Sequence, residues 1–269
     1  MSQKTNVKSI FTGFAGIVIP TLFVVAILVY MYVFGNPSNF QGNNPNNHPL
    51  PGNYLGVIYK GGIIVPLLLT LLMTVITFVI ERYITINKAK GKGSISAFVA
   101  KVYGLLSGKE DIETAVAECD KQRGSVANVV RAGLLKYKEM ITTPGLNRDQ
   151  KVVAIKQEIE EATSLELPML EQNLVILATL TSVSTLIGLL GTVIGMIKAF
   201  AALATAGAPD AVALANGISE ALINTALGIG TSSIAIVFYN YFTTKIDKIT
   251  YSIDEAGVAL VQQFASKHD

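Results

Sequence analysis

The sequence predicts an all-α membrane protein, with four transmembrane helices and a cytoplasmic helical bundle between the second and the third. Three observations carry that prediction. Only 15% of the 269 residues are charged and 51% are hydrophobic, against roughly 25% charged in an average soluble domain. Most of the 21 basic and 19 acidic residues fall between Glu81 and Glu171. On either side of that stretch lie apolar runs of about 20 residues or more, the helical length that crosses a hydrocarbon core of about 30 Å. Between residues 9 and 80 the only charge is Lys60, and between 172 and 244 there are only Lys198, Asp210 and Glu220.

The first run, residues 10–34, is too long for the apolar part of a signal peptide and no small-residue cleavage site follows it, so it reads as a retained anchor. Residues 63–80 form the second run and 174–197 the third. The fourth, roughly 211–242, exceeds what a bilayer requires and is expected to tilt or to project into the cytoplasm. The connection 35–59 has no charge and is rich in Asn, Pro and Gly, which predicts an external loop with little regular structure. Lys4 and Lys8 precede the first span, Arg82, Lys88, Lys90 and Lys92 follow the second, and Lys245 and Lys248 follow the fourth. The turn of residues 205–210 holds only an acid. Cytoplasmic loops carry the positive excess, so both termini and the central region are expected in the cytoplasm.

Within the central region, Ser94 is a candidate helix cap, Gly108 and Gly124 punctuate, and Pro144-Gly145 predicts a turn. A helix starting near Asn147 is expected to run towards the third span, with Pro168 as a kink or break at the membrane surface. Val152, Ile155, Ile159 and Ala162 recur at three and four, giving that helix one buried stripe. The organisation expected is an additional span and loop (1–60), a transmembrane helix (61–80), a cytoplasmic helical region (81–173), a two-helix core (174–244) and a cytoplasmic tail (245–269).

Several functions are excluded at this level. A net charge of +2 with acids and bases intermixed offers no face for nucleic acid. Cys119 is the single cysteine, and His48 and His268 lie in a loop and a tail, so no metal, cofactor or disulfide is expected. No nucleophile with its base, and no phosphate loop, suggests an enzyme. Membrane lipids are the expected surroundings.

Polar residues inside spans are costly and are functional candidates by default. On the third span Thr181, Thr185, Gly188, Thr192 and Gly195 step by four, three, four and three. On the fourth, Ala221, Thr225, Gly228, Ser232 and Ala235 repeat that spacing. Each stripe is a narrow small or hydroxyl face that serves either close helix packing or a functional surface. Two such stripes leave little bulk for one four-helix unit to close upon itself, which predicts a homo-oligomer. Glu220 lies nine residues into the fourth span, about 14 Å from its start, with no basic residue in that span to pair with it. Lys198, near the outer end of the third span, is expected to snorkel to the interface. A carboxyl so placed faces water, binds a proton, or bonds a backbone carbonyl for structure alone. It shares a side of the helix with Asn224 and Thr231.

The run GLLGTVIGMIKAF (188–200), followed by ISEALINTALG (218–228) and FYNYF (238–242), resembles the MotA/TolQ/ExbB proton channel family, and its ExbB and TolQ branches most. The resemblance covers roughly residue 63 to the C-terminus. It implies an inner-membrane motor subunit forming a homo-oligomeric ring, pentameric in the family, around an ExbD/TolR-like single-span protein. A TonB-like or TolA-like transducer would carry the motion to the outer membrane. By the same resemblance Thr192 and Thr225 take the positions of the pore threonines and Glu220 that of the acidic residue. Two positions depart from the family pattern: Ser184-Thr185 replaces an Ala-Pro pair and Ile234 replaces a proline, both of which remove an expected kink. Common members have three spans, so the first span and the Asn-rich loop are additions. The competing readings are a non-conducting membrane scaffold, a motility stator with a peptidoglycan-binding partner, and a secondary transporter. The last lacks the internal repeat and broken helices that a midplane substrate site needs.

Overall fold

The computed structural model describes residues 7–108, 111–204 and 210–267, with side chains from Phe14 onward. Lys4, His268, the Lys8 side chain and all of the 205–210 turn except Asp210 lie outside the described residues. The described residues form helices and turns, with one isolated bridge between Phe40 and Pro49. Four helices are long and apolar enough to cross a membrane. The chain is a multi-pass membrane protein and divides into two compact units, residues 1–79 with 176–239, and residues 80–175 with 240–269.

The first unit begins with α1 (Val7–Leu28), which continues as a π-helical turn (Val29–Phe34). Helix α2 (Tyr54–Tyr59) closes the following loop. This unit also takes the apolar parts of α3 (Val65–Ala89), α8 (Leu174–Leu203) and α9 (Ala211–Lys267). Along α3, Thr70, Thr74 and Thr77 return their hydroxyls to the carbonyls of Pro66, Thr70 and Met73 at 2.7, 2.7 and 2.8 Å. A polar side chain in hydrocarbon thereby satisfies itself on its own helix.

The loop before α2 is more ordered than its composition predicts. Asn39 is buried and donates from Nδ2 to the carbonyls of Val33 and Phe34 at 2.8 and 3.0 Å, which terminates the π turn. Its Oδ1 accepts from Asn53 Nδ2 at 2.9 Å. Lys60 Nζ ties the Pro45 and Asn46 carbonyls, and Tyr59 stacks on Tyr30 with centroids 4.7 Å apart. Each asparagine amide both donates and accepts. A run of them can therefore satisfy loop backbone that has no helix or sheet of its own.

The second unit contains α4 (Ile95–Ser107), α5 (Ile112–Gln122), α6 (Ser125–Thr142), α7 (Arg148–Glu171) and the distal part of α9. Ser94 caps α4 through Ala97 N, and Asn147 with Gln150 forms a reciprocal capping box on α7. Gly124 separates α5 from α6 at φ +87°, where an added Cβ would meet the backbone of Ala89 and Gly91. Helix α6 is the core: Val130, Leu134 and Tyr137 are buried, and Tyr137 sits edge-on to Phe264 of α9 at 4.8 Å. Ile155 and Ile159 supply the buried face of α7, while Val152 and Ala162 are half-buried. Burial of Cys119 pushes its thiol up to about 12.

The helix expected to kink or break at Pro168 ends three residues beyond it. Pro168 lies inside the last turn of α7, which ends at Glu171. The break falls at Gln172 and Asn173, where Asn173 takes φ +63°, a left-handed conformation that asparagine tolerates better than most residues. Beside this break Arg82 is fully buried. Its guanidinium donates to both Glu81 carboxylate oxygens at 2.6 and 2.5 Å and to the Leu170 carbonyl at 3.3 Å.

Candidate functional site

Helices α8 and α9 pack as an antiparallel hairpin, and the two small-residue stripes meet along its seam. A Cβ added to Gly188 would come within 3.0 Å of the Gly228 Cα, and one added to Gly228 within 2.6 Å of the Ser184 carbonyl. Gly195 approaches the Ala221 backbone equally closely, and Gly217 that of Ala199. Glycine allows this contact because nothing larger fits between the two backbones. Asp210 starts α9 by accepting from the amides of Val212 and Ala213 at 3.0 Å.

Thr192 and Thr225 face each other across the seam and their hydroxyls hydrogen-bond directly. Thr192 also reaches the Gly188 carbonyl at 3.3 Å. Both threonines are half-buried. Nearer the opposite end of the hairpin, Ser232 donates to the Thr181 carbonyl, and the Thr181 hydroxyl donates to Ala178 at 2.6 Å. Thr185 is half-buried, and Gly188, Gly195, Ala221 and Gly228 are buried. Nine of the ten sequence-derived candidates thus lie on or beside one seam.

Glu220 occupies a different face of α9. It is buried, and its carboxylate sits against Gly62 at the start of the second span, where φ is +78° and an added Cβ would collide with Oε1. The expectation that Glu220 lacks a basic partner is corrected: Lys198 Nζ lies 2.6 Å from Glu220 Oε1. The physical reason is hairpin geometry. Lys198 is five residues from the end of α8 and Glu220 nine from the start of α9, so the helices bring them to similar depth and the long lysine stem covers the difference. Lys198 is half exposed and points its ammonium inward to the acid instead of out to the interface. Counting residues from the connecting turn is the sequence signal that would have found the pair.

One turn further along α9, Asn224 is fully buried and donates from Nδ2 to the Gly61 carbonyl at 2.8 Å. Gly191 of α8 leaves the space that the Asn224 amide fills. Asn224 Oδ1 and the buried Ser184 hydroxyl have no hydrogen-bond partner among the described residues. Thr231, on the same face, returns its hydroxyl to Leu227 at 2.8 Å. Helices α8 and α9 run unbroken through Ser184-Thr185 and Ile234.

A model of the MotA/TolQ/ExbB proton channel family matches residues 122–255, which include the whole small-residue seam of this hairpin. The Tol-Pal system protein TolQ of Pseudomonas aeruginosa is 30% identical over 158 residues, 59% of this chain and 68% of that protein. The chain belongs to the MotA/TolQ/ExbB proton channel family. A second TolQ, from Haemophilus influenzae, is 28% identical over 222 residues, covering 80% of this chain and 96% of its own length. The biopolymer transport protein ExbB of Salmonella typhimurium is 38% identical over 88 residues, covering 32% of this chain and 36% of its own. As a family member the chain is a proton-channel energising subunit of the TolQ/ExbB type.

Proposed function

We propose that this chain forms the ring of a proton-motive-force-driven motor in a bacterial inner membrane, pentameric and with both termini in the cytoplasm. It energises outer-membrane transport through an ExbD-like single-span partner and a TonB-like transducer. The observation that supports this most is the pair of hydroxyls, Thr192 and Thr225, meeting across the α8–α9 seam at the family's motif positions. A carboxylate on a partner helix cannot cross an apolar wall cheaply, whereas its protonated form can. Neutral hydroxyls solvate the charged form without trapping it as a fixed cation would. Thr181, Thr185, Gly188, Gly195, Ala221, Gly228 and Ser232 then continue the pore stripe and hold the helices close enough for the hydroxyls to meet. Glu220, engaged by Lys198, shapes the pathway while the partner supplies the titrating acid.

The test replaces Thr192 or Thr225 with Val, which keeps shape and deletes the hydroxyl. Native mass spectrometry should still find five copies, while proton-driven uptake across the outer membrane falls at least tenfold. Normal uptake in both variants would overturn the pore reading, and a stable monomer would overturn the ring. A second reading, a TolQ-like motor for envelope integrity with a TolR-like partner and a TolA-like transducer, is favoured by the longer matches to the TolQ proteins. Loss of the chain would then make the outer membrane leaky while leaving energised uptake intact.

A further inference from the structure

We propose that a cavity of about 940 Å³ in the second unit, between the continuations of α3 and α9, seats the headgroup of a membrane phospholipid. Its wall carries Lys90, Lys245 and Lys248 together with Tyr83, Tyr241 and Tyr251. Five other lysines of this unit are committed to carboxylates: Lys101, Lys121, Lys136, Lys138 and Lys156. Among the described residues the three cavity lysines form no ion pair, and Lys245 rests over the Tyr241 ring at 5.5 Å. An ammonium without a carboxylate is an open seat for a phosphodiester.

Depth selects a lipid over a soluble anion. The apolar part of α9 ends near Phe242, and Lys245 and Lys248 follow it by three and six residues, about 4.5 and 9 Å along the helix. A headgroup layer adds about 5–8 Å to each side of the hydrocarbon core, so Lys245 starts within it and Lys248 at its outer edge, from which its flexible stem reaches back to phosphate level. Tyr83 lies three residues past Ile80 on α3. Tyr83 and Tyr241, which flank that level, are exposed at 55 and 44%, while Tyr251 stands about 13.5 Å past Phe242, outside the headgroup layer. Exposed tyrosines at that level are the pattern of a membrane interface, and a soluble anion would gain nothing from them.

At the same depth the cavity carries Asp247. Its carboxylate accepts hydrogen bonds but donates none. The headgroup that suits this part of the wall therefore has a phosphodiester for the lysines and terminal N–H or O–H donors for the acid, as ethanolamine and glycerol headgroups do. A choline headgroup offers no such donor. A lipid seated here requires only that α3 and α9 cross the membrane, independently of any pore.

The test is native mass spectrometry of the intact protein in mild detergent, with phosphatidylethanolamine, phosphatidylglycerol or phosphatidylcholine added at equal mole fraction. Wild type should retain the first two several-fold more than the third. Lys245→Gln with Lys248→Gln should lower retention of both several-fold, and Lys245→Arg with Lys248→Arg should restore it. Asp247→Asn should narrow the preference over phosphatidylcholine. All these side chains are exposed, and circular dichroism checks that each variant keeps its helices. Retention unchanged by the glutamine pair overturns the site. Equal retention of all three lipids overturns the headgroup assignment, and displacement of bound lipid by millimolar inorganic phosphate overturns the lipid source.

Discussion

Replacing Arg82 with Met tests whether the ion pair beside the α7–α8 break is a structural keystone. Arg82 is fully buried, and the Glu81 side chain is only 19% exposed. At 2.6 Å and an effective dielectric constant of about 20, the gross attraction of the pair is about 6 kcal/mol. The desolvation of both ions offsets much of that, so the pair itself contributes little net stability. Breaking it is another matter. In Arg82→Met the Glu81 carboxylate keeps only Thr85 Oγ1 at 3.1 Å and Asn173 Nδ2 at 3.4 Å. The Leu170 carbonyl also loses a donor at 3.3 Å. A buried charge left this way costs about 3–5 kcal/mol. Adding Glu81→Gln removes the stranded charge and should recover at least about 2 kcal/mol, so the double variant is more stable than Arg82→Met alone. The chain has no tryptophan, so unfolding is followed by circular dichroism at 222 nm during denaturation in detergent micelles. A single variant that loses less than about 1 kcal/mol, or a double variant no better than the single, refutes the reasoning.

Three further expectations follow from the geometry. Gly228→Ala should destabilise the hairpin by about 1–3 kcal/mol, because its Cβ has no room against α8. Gly230→Ala, where nothing lies within 4 Å, should be neutral or stabilise by up to about 1 kcal/mol; equal effects at both sites would contradict the close seam. Lys198→Met strands the buried Glu220 carboxylate and should cost more stability than Lys198→Met combined with Glu220→Gln, measured by the same unfolding curves. Cys119 is buried and its thiol is raised to about 12, so iodoacetamide at pH 8 should label it only after unfolding; rapid labelling of the folded protein would contradict that placement.

The spans were legible because a bilayer imposes one requirement, a long uncharged helix, that composition alone reveals. The stripes on α8 and α9 were legible for a related reason: backbones that touch need glycine, alanine or hydroxyl residues at every turn. Other features depend on pairings that no single helix encodes. Lys198 reads as an interfacial residue on α8 and Glu220 as an unpaired acid on α9, and only the hairpin joins them. The asparagines of residues 36–53 read as loop composition, while their fold rests on which carbonyls each amide reaches. Pro168 is a strong local signal, and the helix ends three residues after it, where Asn173 supplies the left-handed residue that closes the run.

The polar groups of the hairpin fall into two sets with different roles. Thr192, Thr225, Ser232 and Thr181 lie along the α8–α9 seam, and Thr192 and Thr225 are only half-buried there. Glu220, Asn224 and Thr231 turn towards other protein surfaces, with Gly61 and Gly62 shaped to receive the first two. A carboxylate held by an ammonium at 2.6 Å and backed by a glycine turn is poorly placed to hand a proton along a path. Half-buried hydroxyls on the seam are better placed to meet a group that comes and goes. In the proposed motor the ring therefore supplies neutral donors and acceptors, and the charge that changes state belongs to the helix the ring surrounds. Proteoliposomes containing the ring alone should conduct protons poorly, and adding the single-span partner should raise the flux. Strong flux from the ring alone, abolished by Glu220→Gln, would move the titrating acid back to this chain.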